Sequence, residues 1–326
     1  MIARIFGRWV MLVLLLTPVL AQAEKLETLP VTRIAPNTYA VYGHIAQLNT
    51  QNRGFNGNAG FVVTTDGVVV IDALGTPLLG KRLLASIRKI TNKPIRYLIL
   101  THNHPDHSYG TSALKDSGAT VIAHAGTQDY LHSSDFESSV DYRREIIPQD
   151  MREFRAIAPD QAIDGDIFSK QVFRLGKHSF EVYNVDHHHS YGDLVIRQLP
   201  ENILWIGDLA FNGRTTYIGD GHSGATLKGI DWLRSAFPDA KLMMPGHGKA
   251  QRPPFPMLQQ TYRYVERLRT KMGQALEAGE SLESAVDECD FPDWHKVPLY
   301  AENHRRNCSF VYREMEQEVF FAPETP

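Results

Sequence analysis

The sequence predicts an α+β fold, a four-layer αββα sandwich followed by a helical C-terminal extension. Three observations carry that expectation. The first third holds β-branched and aromatic runs punctuated by Gly and Asp; a second strand-rich stretch begins near residue 172; and amphipathic segments of helical length lie between and after them. Two strand-rich halves, each with helices to cover an outer face, bury their apolar surfaces most economically as two stacked sheets.

Taken in order, residues 39–42, 60–64 and 68–71 read as hairpin-linked strands, and 77–90 as an amphipathic helix with Leu78, Leu79, Leu83, Leu84 and Ile87 on one side. The nearly continuous apolar run 95–101 predicts a central strand. A helix over about 106–117, a strand at 120–123 and a helix after Ala125 complete this half. In the second half, strands are expected at 172–174, 180–185, 193–199 and 203–206, a helix at 227–237 and a short strand at 242–244. From Pro256 the pattern is helical, with segments at 257–276, 281–286 and 306–320. This extension is expected to pack on the back of the core; roofing a site or mediating a homodimer are the alternatives.

The 326 residues, 43% hydrophobic and 22% charged, suffice for a large core, and no linker divides them. A net charge of -3 without a clustered basic stretch offers no footprint for nucleic acid and leaves a small-molecule substrate as the expected partner. Residues 1–23 read as a signal peptide: Arg4 and Arg8, an apolar run from Trp9 to Leu20, then Ala21-Gln22-Ala23. The organisation expected is therefore signal peptide 1–23, main domain 24–255 and extension 256–326. In a bacterium the mature chain would be periplasmic or secreted, with no stable membrane insertion after cleavage. The oxidising compartment would permit Cys289 and Cys308 to pair, and two separate buried thiols are the other reading.

Histidine spacing is the strongest chemical signal. Thr101-His102-Asn103-His104-Pro105-Asp106-His107 follows the apolar run 95–101, at the strand end where α/β proteins bind ligands. His102 and His104, two apart in extended chain, point the same way and can share a metal. Pro105 favours a helix start that turns Asp106 and His107 towards a second position. Burying so many titratable groups is costly unless a cation pairs with them. His189, Asp208 and His247 each lie at a further predicted strand end, and the H-x-x-G-D spacing to Gly192-Asp193 selects His189 from the triplet His187-His188-His189. Asp193 is read as a turn residue outside the metal set. His44, His124, His132, His178, His222, His295 and His304 lack such partners and are expected at the surface or behind the ligands.

These motifs, from about residue 35 to 250, resemble those of the metallo-β-lactamase superfamily. The resemblance implies the metallo-β-lactamase fold and two Zn2+ per chain, one on His102, His104 and His189, the other on Asp106, His107 and His247, with Asp208 bridging. It also implies hydrolysis of an ester, thioester or lactam carbonyl, with Asp106 and Asp208 as the catalytic carboxylates and a water acidified by the zinc pair as nucleophile. The bridging Asp208 resembles glyoxalase-II-like thioesterases more than the β-lactamases of similar HxHxDH motif. Segments 207–214, 300–307 and 312–316 are similar to the exported quinoprotein relay system zinc metallohydrolases, associated with pyrroloquinoline-quinone-dependent alcohol oxidation. Alternatives are a lactam hydrolase, a mononuclear iron dioxygenase of the same fold and a non-catalytic binding protein. Protein recovered from its native host is expected to begin at Glu24 by N-terminal sequencing; an intact N-terminus in the membrane fraction would show the segment to be an anchor.

Overall fold

A computed structural model describes residues 26–320, so the signal segment 1–23 lies outside the described residues. Two sheets form its centre. The first contains β1 (Thr32–Ala35), β2 (Thr38–Val41), β3 (Ala59–Val63), β4 (Val68–Ile71), β5 (Ile95–Ile99), β6 (Thr120–His124) and β7 (Gln161–Ile163), in that spatial order. Its β1 to β4 pair antiparallel and β4 to β7 parallel. The second contains β8 (Lys170–Leu175), β9 (His178–Asn184), β10 (Leu194–Leu199), β11 (Ile203–Gly207) and β12 (Leu242–Pro245), ordered β12-β11-β10-β9-β8, with only β11 and β12 parallel.

The strand patterns explain the stacking. Along β9, buried residues alternate with half-exposed ones, which sends Phe180 and Val182 inward. They meet Val62, Val69, Ile99 and Ile122 of the first sheet in one core, joined by Ile196 and Trp205. By contrast β4 and β11 are buried at every position, as strands covered on both faces must be. A second apolar layer lies outside the first sheet, beneath α1 (Pro77–Ile90) and its neighbour α3 (Thr111–Asp116). A third lies outside the second sheet, beneath α6 (Ser223–Ala236) and the start of α7 (Pro256–Glu277). The four layers are those the sequence predicts.

Local chemistry fixes the helix starts. Thr76 accepts a hydrogen bond from the Leu79 amide and Pro77 occupies the first turn of α1; Ser133 does the same for α5 (Ser134–Ile146), which follows the short α4 (Thr127–Leu131). The helix expected over 106–117 is instead two pieces, α2 (Pro105–Ser108) and α3, interrupted at Tyr109-Gly110. A Cβ on Gly110 would lie 2.0 Å from the Ala73 carbonyl oxygen, so this break lets the chain pass close against the loop after β4. Strands β1 and β7 are additional to those expected; both are short, with few buried side chains to mark them.

The extension packs on the back of the core only in part: the start of α7 lies on the outer face of the second sheet, as expected, and the rest turns elsewhere. Helices α7, α8 (Leu282–Asp287) and α9 (Tyr300–Phe320) share a core around Tyr264, Val265, Leu268 and Val311. From there α9 reaches the segment between β11 and α6. Asn303 Nδ2 donates to the carbonyls of Thr215 and Thr216 (3.3 Å each), Asn307 Nδ2 donates to Thr216 (2.8 Å), and Asn307 Oδ1 accepts from the Ile218 amide (3.1 Å). Periodicity shows that such helices bury one face, not which neighbour covers it. Cys289 and Cys308 form a disulfide that ties α9 to the stretch after α8. His304, expected at the surface or behind the ligands, is buried beside both sulfurs, and burial pushes its imidazole down to about 4. The crosslink closes a 19-residue separation, so replacing both cysteines by Ala is expected to cost about 2–4 kcal/mol, read as a lower denaturant midpoint. An unchanged midpoint would show that the apolar core alone holds α9.

Candidate metal centre

The site is assembled at the ends of four strands. His102 and His104 lie in the loop after β5, Asp106 and His107 in the first turn of α2, His189 in the β9–β10 turn, Asp208 just after β11 and His247 just after β12. The structure brings all seven into one buried place. Ligand atoms of His102, His104, His189 and Asp208 lie within 4.8 Å of one another, as do those of Asp106, His107 and His247.

Asp208 touches both groups. Its Oδ2 lies 3.3 Å from His189 Nε2 and 3.2 Å from His247 Nε2, and its Oδ1 lies 3.7 Å from His107 Nε2. That proximity needs Gly246, where a Cβ would fall 2.0 Å from Asp208 Oδ1. His188 points away, its ring against Phe168 and Gly229; the triplet lies in a bend rather than the extended chain expected, and His189 is the member that faces the cluster.

A layer of hydrogen bonds aims the rings. Asp72, at the end of β4, accepts from the Thr101 amide (2.7 Å) and hydroxyl (2.9 Å) and faces His107 Nδ1 at 3.0 Å. The Asn56 carbonyl accepts from His247 Nδ1 (2.8 Å), and the Asn56 side chain donates to Asp106 Oδ2 (2.9 Å). Asp220 pairs with His104 Nε2 (2.9 Å), leaving Nδ1 to face His189. Asp193 is more than a turn residue: its carboxylate accepts from the amides of His189 (2.7 Å) and Ser190 (3.0 Å) and from the Ser190 hydroxyl (3.0 Å). Asp72, Asn56 and Asp220 escaped sequence reasoning. The one signal available was an aspartate directly after the fully apolar run 68–71.

The electrostatics show what the cluster lacks. Burial, then the neighbouring His107, holds His102 well below the ordinary imidazole range. Burial opposes charge on His107 too, yet Asp106, Asp208 and Asp72 together raise it to about 10. Asp208 is held well below the usual carboxylate range because the imidazoles of His247 and His107 outweigh its burial. Even so, His102 Nε2 and Asp208 Oδ1 are buried without a hydrogen-bond partner among the described residues. Buried polar atoms left so are costly, and acceptors of this kind among clustered imidazoles and carboxylates fit a cation. Beside the cluster opens a cleft of about 240 Å³, walled by Gln47, Ser139, Tyr142, Arg143, Arg214, Tyr217 and Arg306 among others. Phe211 stacks on the His247 ring and meets the His189 ring edge-on, closing the inner side.

The family model of the Metallo-beta-lactamase superfamily matches residues 52–261. Metallo-beta-lactamase IND-1 of Chryseobacterium indologenes is 24% identical over 213 residues, 64% of this chain and 76% of that protein. A metallo-beta-lactamase structure from Pontibacter korlensis superposes with a TM-score of 0.58 at 20% identity, covering 73% of this chain and 99% of the other. The sec-alkylsulfatase Pisa1 from Pseudomonas sp. superposes with a TM-score of 0.69 at 16% identity over 91% of this chain and 52% of its own, a span that takes in much of the C-terminal helices. At these identities the structures are likenesses of fold. Removing a group that orients metal ligands typically costs about 10 to 100-fold in metal affinity. Asp72→Ala is expected to show that loss in competition with a chromophoric chelator, while Asp66→Ala, at an exposed turn, stays at the wild-type value; equal affinities would remove Asp72 from the site.

Proposed function

Because this chain belongs to the metallo-beta-lactamase superfamily and is a metal-dependent hydrolase, we propose that it holds two zinc ions and hydrolyses an ester, thioester or lactam-type carbonyl. The observation that carries the reading is the position of Asp208, whose carboxylate reaches imidazoles of both ligand groups. His102, His104 and His189 would hold one ion and Asp106, His107 and His247 the other, with Asp208 between them; the imidazole-rich set suits zinc. His102 Nε2 and Asp208 Oδ1, otherwise without partners, would gain them.

Bound zinc lowers the pKa of a water towards about 7 and polarises a carbonyl. Asp208 would accept a hydrogen bond from the attacking water and orient it, while Asp106, pinned by Asn56, stays ionised. Phe211 keeps bulk water from the inner side. Within the fold, export is supported by the disulfide, which persists in oxidising compartments. The likeness of segments 207–214, 300–307 and 312–316 to quinoprotein relay system hydrolases is what supports a finer reading. On that likeness we propose a link to pyrroloquinoline-quinone-dependent alcohol oxidation. Hydrolysis of a sulfuric ester is the second reading, favoured by the alkylsulfatase likeness that extends into the C-terminal helices.

Elemental analysis of the purified protein is expected to return close to two zinc ions per chain; one iron per chain would favour the dioxygenase reading. Asp208→Ala should stay folded, because β11 is held by apolar burial, yet lose metal and at least about 10 to 100-fold of ester or thioester turnover. Asp66→Ala, not Asp193→Ala, is the control, since Asp193 holds the His189 turn. Equal zinc and turnover in wild type and Asp208→Ala would refute the bridging role.

A further inference from the structure

The outer wall of the cleft carries three guanidinium groups, and none has a carboxylate partner within 4.0 Å among the described residues. Arg143, on α5, is buried to 5% exposure. Of its five donors one is used, an Nη1 hydrogen bond to the Gly75 carbonyl at 3.2 Å, and its plane lies over the Tyr109 ring. Arg214 is equally buried, over Phe211, with a single hydrogen bond to the Thr215 carbonyl. Arg306, on α9, is exposed and lies over the Tyr217 ring. A buried guanidinium is normally paired, because burying an unpaired charge is costly.

The cleft's own acids do not supply the missing partner. Asp220 is engaged by His104, and Asp106 and Asp208 face the imidazoles. Burial works against the charge on both buried guanidiniums, and the carboxylate charge that opposes this is Asp106 for Arg143 and Asp208, then Asp106, for Arg214. Once cations occupy the cluster, the carboxylates are neutralised and the arginines lose that compensation. An oxyanion on the substrate would restore it, and the guanidinium fork matches carboxylate and sulfate geometry with two parallel hydrogen bonds.

Resting on the hydrolase reading above, we propose that the substrate carries an oxyanion, carboxylate or sulfate, and that Arg143 and Arg306 bind it from opposite elements, α5 and α9. Arg306 lies outside the stretch 52–261 that the family shares, so the C-terminal extension supplies part of the specificity. It does so by contributing Arg306 directly and by clamping, through Asn303 and Asn307, the loop that presents Arg214 and Tyr217.

The test is calorimetric titration of the zinc-loaded, full-length protein with glutarate, pentyl sulfate and uncharged glutaramide. Wild type is expected to bind at least one anion ten times or more tightly than glutaramide, and the tighter of the two identifies carboxylate or sulfate as the group read. Arg306→Met, at an exposed position that folding does not depend on, and Arg143→Met should each weaken that anion about tenfold or more, since hydrogen bonds to charged groups are among the stronger ones. Their affinity for glutaramide should not move. Glutaramide binding as tightly as the anions, no anion binding, or full anion affinity in Arg306→Met would overturn the proposal. Turnover of neutral 4-nitrophenyl acetate, followed separately, keeps the readings apart. Anion binding without any ester hydrolysis defeats the carbonyl-hydrolase reading alone, whereas hydrolysis without anion preference defeats only the oxyanion subsite.

Discussion

The structure is organised by one electrostatic constraint: five imidazoles and two carboxylates must be held together out of water. Their mutual attraction is incomplete, as His102 Nε2 and Asp208 Oδ1, without hydrogen-bond partners among the described residues, record. Such a cluster keeps its geometry only if the scaffold fixes each ring independently. That scaffold is visible ring by ring: Asp72 behind His107, the Asn56 carbonyl behind His247, Asp220 behind His104 and Asp193 beneath the His189 turn. Strands buried on both faces, β4 and β11, supply rigid ends from which Asp72 and Asp208 project.

The same constraint accounts for the local irregularities. Asp72 adopts a left-handed backbone conformation, unusual for a non-glycine residue, and uses it to reach Thr101 and His107. Gly246 gives up a side chain so that Asp208 can approach. The break between α2 and α3 lets the chain carrying Asp106 and His107 press against the loop after β4. These three departures from regular structure lie at the cluster or on the chain that carries it, as expected where function overrides local preference.

The seven clustered residues were legible in the sequence because chemistry-bearing residue types stood at the ends of apolar runs, at spacings two and four apart. The layered fold was legible because β9 alternates and α1 and α7 bury one face each. The supporting layer was not. Asp72 and His107 are 35 positions apart, and Asp220 and His104 are 116 apart, and nothing in local pattern marks an aspartate as the partner of a distant ring. Strands β1 and β7 were hidden because their side chains are largely exposed or half-exposed, so no alternation marks them. The arginines of the cleft were invisible for the same reason: α5 and α9 meet at the cleft only in three dimensions.

The grip of Asn303 on Thr215, across 88 positions, also sets an order of events during synthesis. A ribosome adds roughly 5–20 residues per second, so the loop waits on the order of several seconds after it is made before α9 exists to hold it. All seven cluster residues have been made by then, the last of them His247. The residues of the cluster are therefore made before the helix whose Asn303 and Asn307 hold the outer loop of the cleft.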